Sequence, residues 1–217
     1  MSELAKFLEH TIHKPDTTLN DVIRVCEEAI RFGFASVCIP PPFIRDARRV
    51  LGERNKLRLA TLVGFPMGYS AISAKSEEIK RALDEGADDI NAMLNLTQVK
   101  SKLWNNVGRD IDGLALATQT KGGILKLILE CSLLTNEELQ KVSELAAEAG
   151  VPWLQTNTGF LGNDATVEMV QTLRRIAGDN VKIMAVAGTQ TVSVARSLLD
   201  AGADRLGTSS GVALVGT

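Results

Sequence analysis

Asp84-Glu85-Gly86-Ala87-Asp88-Asp89-Ile90 closes an amphipathic helix on a glycine and passes at once into a short apolar strand. The same junction recurs at Arg31-Phe32-Gly33-Phe34-Ala35-Ser36-Val37-Cys38-Ile39, at Glu148-Ala149-Gly150-Val151-Pro152-Trp153-Leu154 and at Asp200-Ala201-Gly202-Ala203-Asp204-Arg205-Leu206-Gly207. Weaker copies stand at Gly52, Gly122 and Gly178. Glycine reaches the left-handed conformation that ends a helix, and the apolar runs that follow are short enough to be buried strands. Eight strands are expected, near Phe7–Ile12, Ala35–Ile39, Leu57–Val63, Asp88–Asn95, Gly123–Glu130, Val151–Thr156, Val181–Val186 and Asp204–Thr208. Helices fall between them, with Asp16, Thr135 and Asp164 as candidate capping residues. Strict alternation requires parallel strands. Eight such units favour an α/β fold of the closed (β/α)8 TIM barrel type, whose chemistry sits at the carboxyl ends of the strands.

No linker, low-complexity run or composition shift divides residues 1–217, so a single barrel domain is expected. A chain of this length can bury a full core, and 45% apolar with 23% charged residues is the composition of an ordinary globule. A formal charge of -2 provides no basic field for nucleic acid and no polybasic stretch for a membrane surface. No apolar run approaches a membrane span, and the opening Met1-Ser2-Glu3-Leu4 lacks the pattern of a signal peptide. Cys26, Cys38 and Cys131 have neither metal-ligand spacing nor an even count for a disulfide framework. The cytoplasm is the expected compartment, and no cofactor is expected.

Taken together, the strand ends resemble deoxyribose-phosphate aldolases along almost the whole chain. The resemblance is carried by Leu8-Glu9-His10-Thr11-Ile12-His13-Lys14-Pro15-Asp16, by Ser36-Val37-Cys38-Ile39 and by Thr61-Leu62-Val63-Gly64-Phe65-Pro66-Met67-Gly68. It continues through Glu85–Ile90, Leu125-Lys126-Leu127-Ile128-Leu129-Glu130, Trp153–Phe160 and Gly207-Thr208-Ser209-Ser210-Gly211. The family implies a class I aldolase that forms an imine between a lysine and acetaldehyde and acts on 2-deoxyribose 5-phosphate. Three positions depart from its pattern. Gln155 stands where the Schiff-base lysine belongs, Met184 where a second lysine lowers the first one's pKa, and Asn91 where an aspartate moves protons. A carboxamide or a thioether offers no nucleophilic amine. Neutral side chains at all three places form a set that needs no counter-charge.

The resemblance also assigns a phosphate to Thr158, Gly159, Gly188 and the turn Gly207–Ser210, including Ser209 and Ser210, ahead of a short helix. Ala187 stands where the family has a glycine, and its methyl narrows the backbone's approach to a ligand. Lys126 resembles a lysine the family keeps near its site. It is the residual amine candidate, with burial against Glu130 as the structural alternative. Thr11, His13 and Cys38 complete the expected pocket. His13 could serve as a general base if a carboxylate orients it, or simply be a polar mouth residue, while His10 is expected to be buried. Two histidines three apart, with no third ligand evident, support no metal site. Cys38 reads as core packing, Trp104 and Trp153 as cover on the barrel exterior, and Lys182 as solvated at the opposite end of the barrel.

The expectation is a deoxyribose-phosphate aldolase-like barrel that keeps a pocket for a small phosphorylated sugar or aldehyde and lacks the Schiff-base apparatus, with a homo-oligomer as the candidate assembly. Two other readings stand beside it. One is an active carbon–carbon lyase working through Lys126, or a remodelled barrel using His13. The other is a structural or assembly protein.

Overall fold

A computed structural model describes residues 3–52, 57–188 and 191–216. Eight parallel strands close into a barrel in sequence order. They are β1 (Leu8–Thr11), β2 (Ser36–Ile39), β3 (Arg58–Val63), β4 (Asp89–Met93), β5 (Ile124–Ile128), β6 (Trp153–Gln155), β7 (Lys182–Val186) and β8 (Arg205–Thr208). The outer ring comprises α1 (Leu19–Phe32), α2 (Ile44–Leu51), α3 (Ile72–Asp84), α4 (Leu96–Lys100), α5 (Trp104–Thr120), α6 (Asn136–Glu148), α7 (Val167–Ala177), α8 (Val192–Asp200) and α9 (Gly211–Val215). Each expected strand is present and begins one or two residues later than expected; β2, β3, β7 and β8 end where expected, and the other four end one or two residues earlier. Among the described residues no helix is long and apolar enough to cross a membrane.

The helix starts correct two of the three caps. Thr135 caps α6 in a reciprocal box with Glu138, as its spacing predicts. Thr18, not Asp16, caps α1 through the same device with Asp21, and Thr166, not Asp164, caps α7. In both corrected cases the acid lies two residues too early to reach the N–H groups of the first turn.

The recurring glycine junction has a side-chain partner that pattern reading did not reveal. Gly86 and Gly202 both take φ +112, and a Cβ on either would meet an arginine Cγ at 3.1 Å. At the first, the Arg48 guanidinium from α2 donates to the Gly86 carbonyl and to Asp88, whose carboxylate also accepts the Leu59 N–H of β3. At the second, Arg174 from α7 donates to the Gly202 carbonyl and to Asp204, which accepts the Ile183 N–H of β7. Gly-Ala-Asp is thus a clamp that fastens a helix to the amino ends of two adjacent strands. Hydrogen bonds to charged groups contribute about 1.5–3 kcal/mol. Asp88→Ala and Asp204→Ala should each lower the unfolding free energy by about that amount in urea denaturation, and by similar amounts because the two clamps share one geometry.

The main apolar core lies between barrel and helices, from Leu8 on β1 to Leu206 on β8. Two small clusters lie apart from it inside the barrel. Cys38, Ala60, Leu62, Met93 and Ile128 form one, and Trp153, Met184 and Val186 form the other.

Candidate functional site

Strand alternation points every second residue into the lumen. On β1 this selects Glu9 and Thr11, while His10 faces outward and meets Glu28 of α1 at 2.9 Å. Glu9 is fully buried, and the Lys126 ammonium from β5 contacts it directly. Lys126 also lies 2.9 Å from Asp89 on β4, and Asp89 in turn accepts from Arg58 on β3. Ser36 donates to Glu9 at 2.6 Å and the Asn91 amide donates to it at 2.7 Å.

Burial opposes the charge on Lys126, but Asp89 and Glu9 outweigh it and hold its pKa above the ordinary lysine value. Burial likewise opposes charge on Glu9 and Asp89, and Lys126 with its neighbours wins there too, leaving both carboxyls below their usual range. The lumen floor is therefore a dense charge network, not the neutral set expected from Gln155, Met184 and Asn91 alone. Glu130 is not the partner of Lys126. It follows β5 with φ 52 and turns away to accept from the Thr158 N–H and hydroxyl, at 2.8 and 2.6 Å, fixing the loop after β6.

Above this floor the lumen is closed. Gln155, Met184, Asn91 and Cys38 are all at most 3% exposed. The Gln155 amide donates to the Asn157 carbonyl at 2.8 Å. Met184 and Val186 fill the space opposite Gly207, where an added Cβ would come within 2.9 Å of both side chains. Trp153, expected outside, instead lies within the lumen against Met184, with Lys182 and Arg205 over its ring. Lys182 itself is exposed at that end, as expected. Burial raises the Cys38 thiol well above its ordinary value, so it behaves as a small apolar residue beside Asn91.

Open space lies at the mouth. A cavity of about 280 Å³ is lined by Thr11, His13, Gly159, Gly188, Gly207 and Ser209, with Ala187 in its wall. Thr158 and Ser210 belong to its support rather than its lining. Ser210 uses its N–H on Thr208 and Thr158 is held by Glu130. The Gly188 N–H is bound by the Asp164 carboxylate at 2.7 Å. With α9 only five residues long, the helix dipole adds little here. A larger cavity of about 800 Å³ adjoins it and shares His13, Lys14 and Pro15. Burial lowers the His13 pKa, so its imidazole is neutral at pH 7, and no carboxylate hydrogen-bonds to it among the described residues. Residues Thr189 and Gln190, beside Gly188, lie outside the described residues.

A DeoC/LacD family aldolase model matches residues 7–215. The chain belongs to the DeoC/LacD aldolase family. It is 37% identical over 212 residues to a deoxyribose-phosphate aldolase of Halalkalibacterium halodurans, covering 98% of this chain and 94% of that one. It is also similar to a putative deoxyribose-phosphate aldolase structure from Coccidioides immitis, with TM-score 0.93, 31% identity and coverage of 98% and 84%. A tetrameric deoxyribose phosphate aldolase from Aeropyrum pernix matches with TM-score 0.89 and 25% identity, covering 98% of this chain and 89% of that one.

Within this aldolase-family barrel, sequence reading missed three residues that shape the mouth and floor. Glu9 and Lys14 enter the sequence reading only inside the stretch that carries the resemblance, with no role of their own, and Asp164 only as a cap. Lys126→Met should reduce stability by about 3–5 kcal/mol, since it strands the buried Glu9 carboxylate and leaves Asp89 to Arg58 alone. Adding Glu9→Gln should recover part of that loss. The depressed Glu9 and Asp89 pKa values stabilise the fold above the unfolded-state carboxyl values of about 4, and this contribution disappears as pH falls through the lower folded values. Urea midpoints measured against pH should therefore fall in acid for the parent and show a weaker acid dependence in the double variant.

Proposed function

We propose that this protein binds a phosphorylated small molecule at the barrel mouth and has lost the Schiff-base chemistry of deoxyribose-phosphate aldolases. The observation that carries this reading is the state of Lys126. Its amine is fully buried, paired with Glu9 and Asp89, and kept protonated, and an ammonium has no lone pair with which to attack a carbonyl. Gln155, at the position that the resemblance gives to the nucleophilic lysine, offers only an amide committed to Asn157. Among the described residues no carboxylate hydrogen-bonds to His13 to orient it as a general base.

The phosphate is assigned to the smaller cavity. Several of its backbone donors already have internal partners, while Gly159 N–H and Ser209 have none among the described residues. With Lys14 on the wall, these support weak binding, on the order of millimolar. A homo-oligomer is part of the proposal, supported by the tetrameric relative. The cytoplasm is the proposed compartment, in keeping with three free, buried thiols.

Borohydride reduction in the presence of acetaldehyde or deoxyribose 5-phosphate tests the lost chemistry. The intact mass should stay unchanged under conditions that label an active aldolase. A stable adduct on Lys126 would show instead that the lysine reading is right and this one wrong. The Asp164 carboxylate also places negative charge beside the anion's position. Asp164→Asn keeps the acceptor for Gly188 and removes that charge, so phosphate affinity measured by calorimetry should rise a few-fold.

A further inference from the structure

We infer that the ligand of this mouth is a phosphomonoester with an aromatic body, its phosphate beside Lys14 and Ser209 and its ring in the larger cavity against Phe65 and Tyr69. This rests on the anion reading above and adds the chemical class of what the phosphate is attached to.

The direction in which a ligand can extend is decided by packing. Below the smaller cavity, Met184, Val186 and Gln155 close the lumen, so nothing long enters the barrel. That cavity, at about 280 Å³, lies just under the roughly 300–1,000 Å³ usual for ligand pockets, whereas its neighbour at about 800 Å³ lies well inside that range. The two share the His13-Lys14-Pro15 segment as a common wall, so a ligand anchored in one extends sideways into the other.

Lys14 is the cation at that boundary. It is exposed, lines both cavities, and has no ion-pair partner among the described residues. An anion there gains a charge-assisted contact that the turn's remaining donors do not supply. The larger cavity is suited to a flat apolar group. Pro40, Pro42, Phe43, Phe65, Pro66 and Tyr69 contribute to its walls, and Tyr69 is left 65% exposed. Its charged rim is committed elsewhere: Glu78 accepts the Gly64 N–H, and Arg81 pairs with Glu85. A polyhydroxylated chain would find few free polar partners there, but a ring would find aromatic faces and edges. At the boundary His13 meets Phe65 edge-on at 5.5 Å, and Phe65 meets Phe160 at 5.8 Å, so the ridge between the cavities is itself aromatic.

The test is calorimetric titration of the whole protein with naphthyl phosphate, inorganic phosphate and naphthol. Naphthyl phosphate should bind about tenfold tighter than inorganic phosphate, and tighter than naphthol. Lys14→Ala should weaken both phosphates. Tyr69→Ala, at an exposed position where folding is not at stake, should weaken naphthyl phosphate alone. Equal affinity for the two phosphates overturns the inference while leaving the anion reading in place, whereas equal affinity for naphthol and naphthyl phosphate overturns the inference and leaves the anion reading to rest on saturable binding of inorganic phosphate. Absence of saturable binding by either phosphate removes both. If Tyr69→Ala instead lowers the oligomer mass in sedimentation and leaves naphthyl phosphate affinity unchanged, the groove is a contact between copies of the chain and the inference fails.

Discussion

Inside the barrel an ammonium on β5 lies between carboxylates on β1 and β4, and an arginine on β3 ties the second carboxylate to the barrel's edge. Removing the Lys126 ammonium would leave the buried Glu9 carboxylate with no cation in contact, which costs several kcal/mol, while Arg58 would still pair with Asp89. The rest of the lumen is arranged around that constraint. Ser36 and Asn91 direct donors at Glu9, satisfying the lone pairs that Lys126 does not reach. The apolar residues divide into two separate clusters, one on each side of the polar group. A lysine held in this way stabilises the barrel's closure, and in the proposed reading the same contacts withdraw it from nucleophilic chemistry.

With the depth of the barrel occupied, the open volume among the described residues lies around the loops that follow the strands. Those loops are fastened by short polar devices. Glu130 binds the Thr158 hydroxyl and N–H, Thr208 donates to the Gly188 carbonyl, and buried Lys75 of α3 joins the Gly68 and Met93 carbonyls to Asp110 of α5. Each contact fixes a mouth loop from below or outside and leaves the cavity wall to glycines, prolines and aromatic rings. A rigid mouth over a closed lumen favours binding across the barrel rather than into it.

The sequence made the strands legible because each is announced by a glycine and is short and apolar, features that depend only on local backbone physics. It also made the direction of side chains legible, since alternation is a local property: Lys126, Met184 and Gln155 lie on the inward face as expected. Height and partnership were not legible. Alternation puts Lys126 inside but cannot say that Glu9, more than a hundred residues earlier, reaches it across the barrel while nearby Glu130 rotates away at a left-handed backbone. Trp153 was misplaced for a different reason: it lies two residues before Gln155 on β6 and so shares its inward face, a parity that reading a tryptophan as exterior cover overlooks. Asp164 shows how one residue can carry a local signal for one role and perform another. Its position suggests a helix cap, yet its carboxylate reaches Gly188, a contact that exists only when β6 and β7 are adjacent.

Asn91, Met184 and Gln155, the positions where the resemblance sets this chain apart from the aldolase pattern, each have a structural role in the lumen. Asn91 presents a donor to Glu9, a carboxylate already engaged by Lys126, and a second carboxylate at that point would face the first at hydrogen-bond distance. Met184 occupies room opposite Gly207, and its apolar chain needs no counter-ion so close to that network. Gln155 then folds its amide onto Asn157, a bond a protonated lysine could make only by burying an unpaired charge under Met184 and Val186. Each neutral residue thus makes the next tolerable. A lysine placed at position 155 alone would meet buried, uncharged neighbours, so an amine nucleophile there would require reopening the lumen as well as replacing the side chain.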